Sequence, residues 1–162
     1  MIDATELIRT IREAFRDVKL EDGVSLNMTE YNDSGGSAKH FKQLAVNDER
    51  DDWQKIDDRT LEQFTVTFSF TDWKGLRFYL PAYMIWVIKH PESHCSIGEY
   101  TIYALDPDGM VWLHERTVDK ILNKQQLEAV VQFLQYCVED LGYCDVDAAA
   151  NLGKMKRMRK YL

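Results

Sequence analysis

The 162-residue sequence predicts a mainly α fold, a single helical domain over residues 1–162 around one central helix, and three stretches predict it. Leu7, Ile8, Ile11, Phe15 and Val18 recur at helical spacing, laying one apolar stripe along an N-terminal helix within residues 1–20. Leu127, Val130, Val131, Leu134 and Val138 repeat the pattern near the other end, behind a capping box of Asn123 and Gln126. Between them, Thr71 to Lys89 holds the densest run of large apolar and aromatic side chains. Beyond Phe78 that run is apolar nearly all round, so both faces of the helix need protein cover.

The elements follow in order. Asp3, with Glu6 three residues on, offers the first helix a side-chain cap. Asp33 to Ser37 reads as a solvated loop tip; its double glycine lacks the flanking residues of a phosphate-binding loop. An acidic block follows, with Asp48, Glu49, Asp51, Asp52, Asp57, Asp58 and Glu62 around Trp53. It does not meet the calcium-loop pattern and reads as a solvated face or, with Trp53 as aromatic anchor, a docking surface.

Phe64 to Phe70 alternates apolar and polar residues, which predicts a half-buried strand. Thr71 then caps the central helix, with Asp72 complementing its positive end. Pro81 removes a backbone donor and clashes with the carbonyl of Arg77, so a kink or break is expected near Leu80.

Leu76 to Tyr83 reads Leu-Arg-Phe-Tyr-Leu-Pro-Ala-Tyr and resembles the F-R-[FY]-Y-L-P-A-[YF] helix that marks an uncharacterised bacterial family, a domain of unknown function. The resemblance runs from about Trp53 to Asp140 and takes in Trp53-Gln54 and the segment from Asn123 to Leu134. Leu76 stands where the family has phenylalanine, and Asp72-Trp73 where it has Pro-Glu. The resemblance implies a small, mainly helical, intracellular bacterial protein and carries no activity with it.

His90, His94, Cys95 and His114 contain nominal zinc ligands, but Pro91 breaks the helical spacing of the first pair and no second close pair exists; no metal and no cofactor is expected. Tyr100 to Leu105, the turn Asp106 to Gly109 and Met110 to Leu113 read as a short β-hairpin near residues 100–114. Ser96 and Glu99 equally allow a short helix over the first arm. Residues 146–162 form a basic tail helix with Leu152, Met155 and Met158 on one side.

Composition bounds the function. The last ten residues hold five bases and no acid; the other 152 hold 15 bases against 27 acids, a net of −12 within an overall −7. Such a body repels phosphate backbones and favours a basic partner, so nucleic acid is not expected. The longest apolar run, Ala82 to Ile88, is far short of the ~20 residues of a membrane span. Three cysteines without close pairing, and an acidic polar start, suit a cytoplasmic protein.

No catalytic constellation is legible, and three classes of function follow. The first is a small acidic protein-binding module, of the immunity type that covers a toxin's active site, meeting its partner through Asp51, Asp52, Trp53, Asp57 and Asp58. The second is an enzyme with a polar or anion site at Arg77, Tyr79 and Tyr83, Arg77 stacking on Trp73 one turn back. The third is an anion or nucleic-acid binder working through the tail, whose bases equally suit lying over the acidic body.

Overall fold

The computed structural model describes residues 2–93, 96–109, 116–141 and 145–162. Among them every regular element is helical. Helix α1 spans Ala4–Ala14, where Asp3 Oδ1 accepts from Glu6 N at 2.9 Å, as its sequence predicts. Leu7, Ile11 and Phe15 are fully buried. Helices α2 (Leu26–Ser34) and α3 (Ala38–Ala45) form a hairpin that turns at Gly35, whose φ of 63° is a left-handed conformation glycine adopts without a Cβ penalty. A 3-10 turn at Trp53–Lys55 leads into α4 (Asp58–Gln63) and α5 (Thr67–Phe70).

The strand expected over Phe64 to Phe70 is not there. Phe64 ends α4, and Thr67 begins a short helix with its hydroxyl on the Phe64 carbonyl at 2.8 Å. The alternation was real but no partner strand exists among the described residues, and a lone strand leaves its backbone groups unpaired.

Helix α6 runs from Trp73 to Lys89 with thirteen buried residues. Its N-cap is Asp72 rather than Thr71: the Asp72 carboxylate accepts from Gly75 N at 2.8 Å and from Val24 N at 3.2 Å. The helix passes through Pro81 without interruption, so of the two outcomes expected there a break is excluded. α7 covers Ile97–Ala104. It replaces the first arm of the expected hairpin; the second arm, Met110 to Leu113, lies outside the described residues.

Helix α8 (Val118–Ile121) precedes α9 (Lys124–Tyr136), which opens with the predicted capping box: Asn123 and Gln126 exchange hydrogen bonds at 2.9 and 3.0 Å. α9 ends in a π-helical turn, Cys137–Leu141, where Asp140 accepts from Ile2 N at 3.1 Å and anchors the start of the chain. α10 (Asp145–Met158) and a final 3-10 turn (Arg159–Tyr161) complete the order.

One hydrophobic cluster joins α1, α6, α7, α9 and α10, from Leu7 to Met155. α1 packs against both α6 and α9, and α6 also against α7. The main partners of α9 are α1 and α10, so α1 lies against both α6 and α9. No helix among the described residues is long and apolar enough to cross a membrane.

Candidate functional site

Helix α1 ends one turn before a cluster of charges. Phe15 and Val18 turn inward, which leaves Arg16, Asp17 and Lys19 outward. Opposite them, α8 and the first turn of α9 present Asp119, Lys120, Asn123, Gln125 and Gln126. Arg77, one turn into α6, completes the lining, and the open cleft is about 580 Å³. That volume lies within the range of small-molecule sites.

The cleft lining carries four acids and four bases. Most are already matched. Glu13 is held by Arg9 at 2.7 Å, Glu21 by Lys74 at 2.8 Å, Lys19 by Asp51 at 3.3 Å and Lys120 by Asp119 at 3.4 Å. Arg16, Arg77 and Asp17 are left without an ion pair among the described residues, although Arg77 lies close enough to Glu21 to help hold its carboxyl below the usual range. The unpaired balance in the cleft is therefore cationic, within a protein that is acidic as a whole.

Arg77 is set in place from one side. Its guanidinium carbon lies 5.1 Å from the Trp73 ring centre, Arg116 approaches the same ring at 4.9 Å, and Lys74 at 5.5 Å. Three cations round one indole repel each other, and the electron-rich ring face offsets part of that cost. Lys74 is neutralised by Glu21 and Asp22, whose carboxyls it holds below their usual range. Arg77 feels the charge of Glu21 but makes no ion pair among the described residues, and its Nε is buried with no hydrogen-bond partner there. A buried guanidinium N–H without an acceptor costs on the order of 1–3 kcal/mol.

The loop beside it is strained in the same region. Glu21 has φ 56°, a left-handed conformation costly for a residue with a Cβ. Arg50 fixes it by donating from one Nη to the carbonyls of Glu21 (3.0 Å) and Gly23 (3.3 Å).

The sequence-derived candidates divide. Arg77 stacks on Trp73 as expected, but Tyr79 and Tyr83 do not join it. Both hydroxyls are core groups: Tyr79 accepts from Leu26 N at 3.2 Å, and Tyr83 donates to the Phe64 carbonyl and lies 2.8 Å from the Thr67 hydroxyl. Burial pushes both phenols well above the usual tyrosine range, aided at Tyr79 by the charge of Asp48. A phenol with a raised folded-state pKa stabilises the fold fully below the unfolded value of about 10 and loses that stabilisation as pH rises beyond it. Melting temperature should accordingly fall steeply from about pH 10 upward. A Tyr79→Phe/Tyr83→Phe double variant should show a flatter slope there, and an unchanged slope would refute the burial argument.

The acidic block is largely spent on the fold. Trp53 is no exposed anchor: it is 2% exposed, and its indole donates to the Phe15 carbonyl at 2.8 Å. Asp52 caps Gln54 N, Asp57 caps Thr60 N, Asp58 pairs with His90 at 3.1 Å and Lys89 at 3.5 Å, and Asp51 holds Lys19. Two of the five tail bases are paired with the body as well. Lys154 bridges Asp106 (2.6 Å) and Asp108 (2.8 Å), and Arg159 grips Glu128 through two bonds of 2.7 Å. Among the described residues no three His, Cys, Asp or Glu side chains converge on a metal position. His94, Cys95 and His114 lie outside the described residues.

Sequence reasoning missed Glu21, Lys74 and Arg116. The signal for Lys74 was available, since it sits beside Trp73 on the first turn of the helix. Arg116 reaches the same ring from a distant part of the chain, and no local pattern announces that.

No curated protein and no solved structure matches the chain. A family model does, over residues 3–161, well beyond the stretch that carries the L-R-F-Y-L-P-A-Y motif. The chain belongs to that family, DUF6714, a family of unknown function.

Proposed function

We propose that this chain is a one-domain, non-catalytic binding module that holds an anionic group, a carboxylate or phosphate, in the cleft beside Arg77. The observation that carries the reading is the Arg77 guanidinium itself, stacked on Trp73, without an ion pair among the described residues and lining the cleft. The first turn of α9 adds the positive end of a thirteen-residue helix on the facing wall. The one carboxylate of that wall, Asp119, is already held by Thr117 and Lys120, which favours binding over turnover.

Titration with inorganic phosphate and with citrate, followed by amide and indole chemical shifts, tests the proposal. Shifts should concentrate at Trp73, Arg77 and Asn123 to Gln126, and weaken as salt rises. Arg77→Gln should reduce affinity by roughly ten-fold or more, and Arg77→Lys should recover only part of it, because an ammonium lacks the planar fork. Equal binding by the wild type and Arg77→Gln would end the reading.

A second reading, a module that docks a basic protein in the manner of an immunity protein, keeps one support in the acidic body and the 77% exposed side chain of Asp51. Its contact set then reduces to Asp51, Asp52, Asp57 and Asp58, without Trp53. Binding to the product of a neighbouring toxin gene that is undiminished by Asp51→Lys would remove those residues from it.

A further inference from the structure

The loop that carries Glu21 along the Arg77 cleft has a second side. There, Gly23 and Val24 of the loop, Met28 of α2, and Ala45 and Val46 at the end of α3 border an open groove of about 540 Å³. Val46 is 81% exposed and neighbouring Leu44 40%, an apolar step beside exposed polar and charged side chains. α3 packs chiefly on α2, so its other faces are left to solvent.

Charge on this groove runs against the charge of the molecule. Lys42 and Arg50 line it. Its one carboxylate, Asp22, is taken up by Lys74. Lys42 has no ion-pair partner among the described residues, and Arg50 bonds only backbone carbonyls there. α3 contributes Lys39, His40 and Lys42 and no acid, although the chain carries −7 overall. Cations placed beside exposed apolar side chains match a ligand that combines carboxylates with apolar bulk.

Asn32 narrows the choice of occupant. Its amide nitrogen donates to the Phe70 carbonyl at 3.0 Å, which leaves the side-chain oxygen of this groove-lining residue with no hydrogen bond among the described residues. A peptide N–H satisfies that oxygen, whereas an alkyl chain offers it nothing. Met28 on the floor suits side chains of differing shape. We propose that the groove between α2, α3 and the Gly23–Val24 loop docks a short segment of a partner protein in which leucine-like side chains lie between acidic ones, with Lys42 and Arg50 as its charge contacts.

The test uses the full chain and a fluorescein-labelled peptide with two leucines between glutamates, read by anisotropy and amide shifts. Two control peptides replace the glutamates by lysine or the leucines by serine. The parent peptide should bind and perturb Val24, Met28, Lys42 and Val46, with both controls weaker by roughly ten-fold or more. Lys42→Glu and Val46→Ser, both at exposed positions that leave the fold intact, should each reduce binding by about the same factor. Absence of binding, equal binding of the lysine peptide, or indifference to Lys42→Glu would overturn the proposal. Tighter binding of octanoate than of the peptide would overturn the choice of occupant. Arg77→Gln should leave peptide binding unchanged, which keeps this test separate from that of the anion cleft.

Discussion

Trp53→Ala should lower the stability of the protein by about 3–5 kcal/mol, the usual cost of removing a buried tryptophan. The side chain is 2% exposed and belongs to the main hydrophobic cluster. Its indole N–H is also the donor that reaches the Phe15 carbonyl at 2.8 Å, just where α1 ends. Truncation therefore leaves both a cavity and a buried acceptor without its donor. For a chain of this size each kcal/mol moves the midpoint by roughly 2–4 °C, so the melting temperature should drop by on the order of 10 °C or more. Trp53→Phe separates the two contributions: it keeps most of the volume and loses the hydrogen bond, and should cost about 1–2 kcal/mol. Urea unfolding followed by circular dichroism measures both. An unshifted midpoint for Trp53→Ala would return Trp53 to the surface role that its acidic neighbours suggest.

Trp53 also shows where the sequence was legible and where it was not. Periodicity identified α1 and α9, whose apolar stripes keep their spacing in any arrangement of neighbours, and α6 was legible as a long run apolar nearly all round. The caps Asp3 and Asn123 were readable for the same reason, since a cap acts within its own turn. Trp53 has no such local logic. Among acids it looks like an anchor in a charged rim, and only the approach of α6 and of the end of α1, both distant in sequence, buries it. Phe64 to Phe70 failed for a related reason: strict alternation describes a strand only if a second strand is present to pair with it. At the site, the Trp73–Arg77 stack was visible because the two residues lie one helical turn apart. The cleft around it was not, because its walls come from α1, α8 and α9, and the charges that matter are those left over after pairing. Asp51 on Lys19 and Lys74 on Glu21 decide that remainder, and both are long-range pairs.

Gly75→Ala should destabilise the protein, against the rule for a helical glycine. In an open helix interior the change gains about 1 kcal/mol, since glycine is the poorer helix former. Here a Cβ would fall 1.8 Å from the Thr71 hydroxyl oxygen and 3.0 Å from the Val24 carbonyl. Neither can move freely. Thr71 ends α5 and reaches Val24 O at 3.3 Å, while Val24 N is held by the Asp72 cap. Overpacking of this kind costs typically 1–3 kcal/mol, and the contact is close enough to expect the upper part of that range. The double-mutant cycle with Thr71→Ala tests the cause. Removing the hydroxyl should recover much of the loss but not all of it, because the Val24 carbonyl stays, and the two changes should therefore be non-additive by more than 0.5 kcal/mol or so. Additive effects, or a raised melting temperature for Gly75→Ala, would sink the argument. The consequence reaches the Arg77 cleft. Gly75 lets the Glu21–Val24 loop lie directly on the first turn of α6, which is what brings Glu21 and Asp22 to Lys74 and leaves Arg77 without an ion pair among the described residues. Pushing that loop outward should weaken phosphate binding in Gly75→Ala even under conditions where the variant is fully folded, and restoring the space through Thr71→Ala should restore part of it.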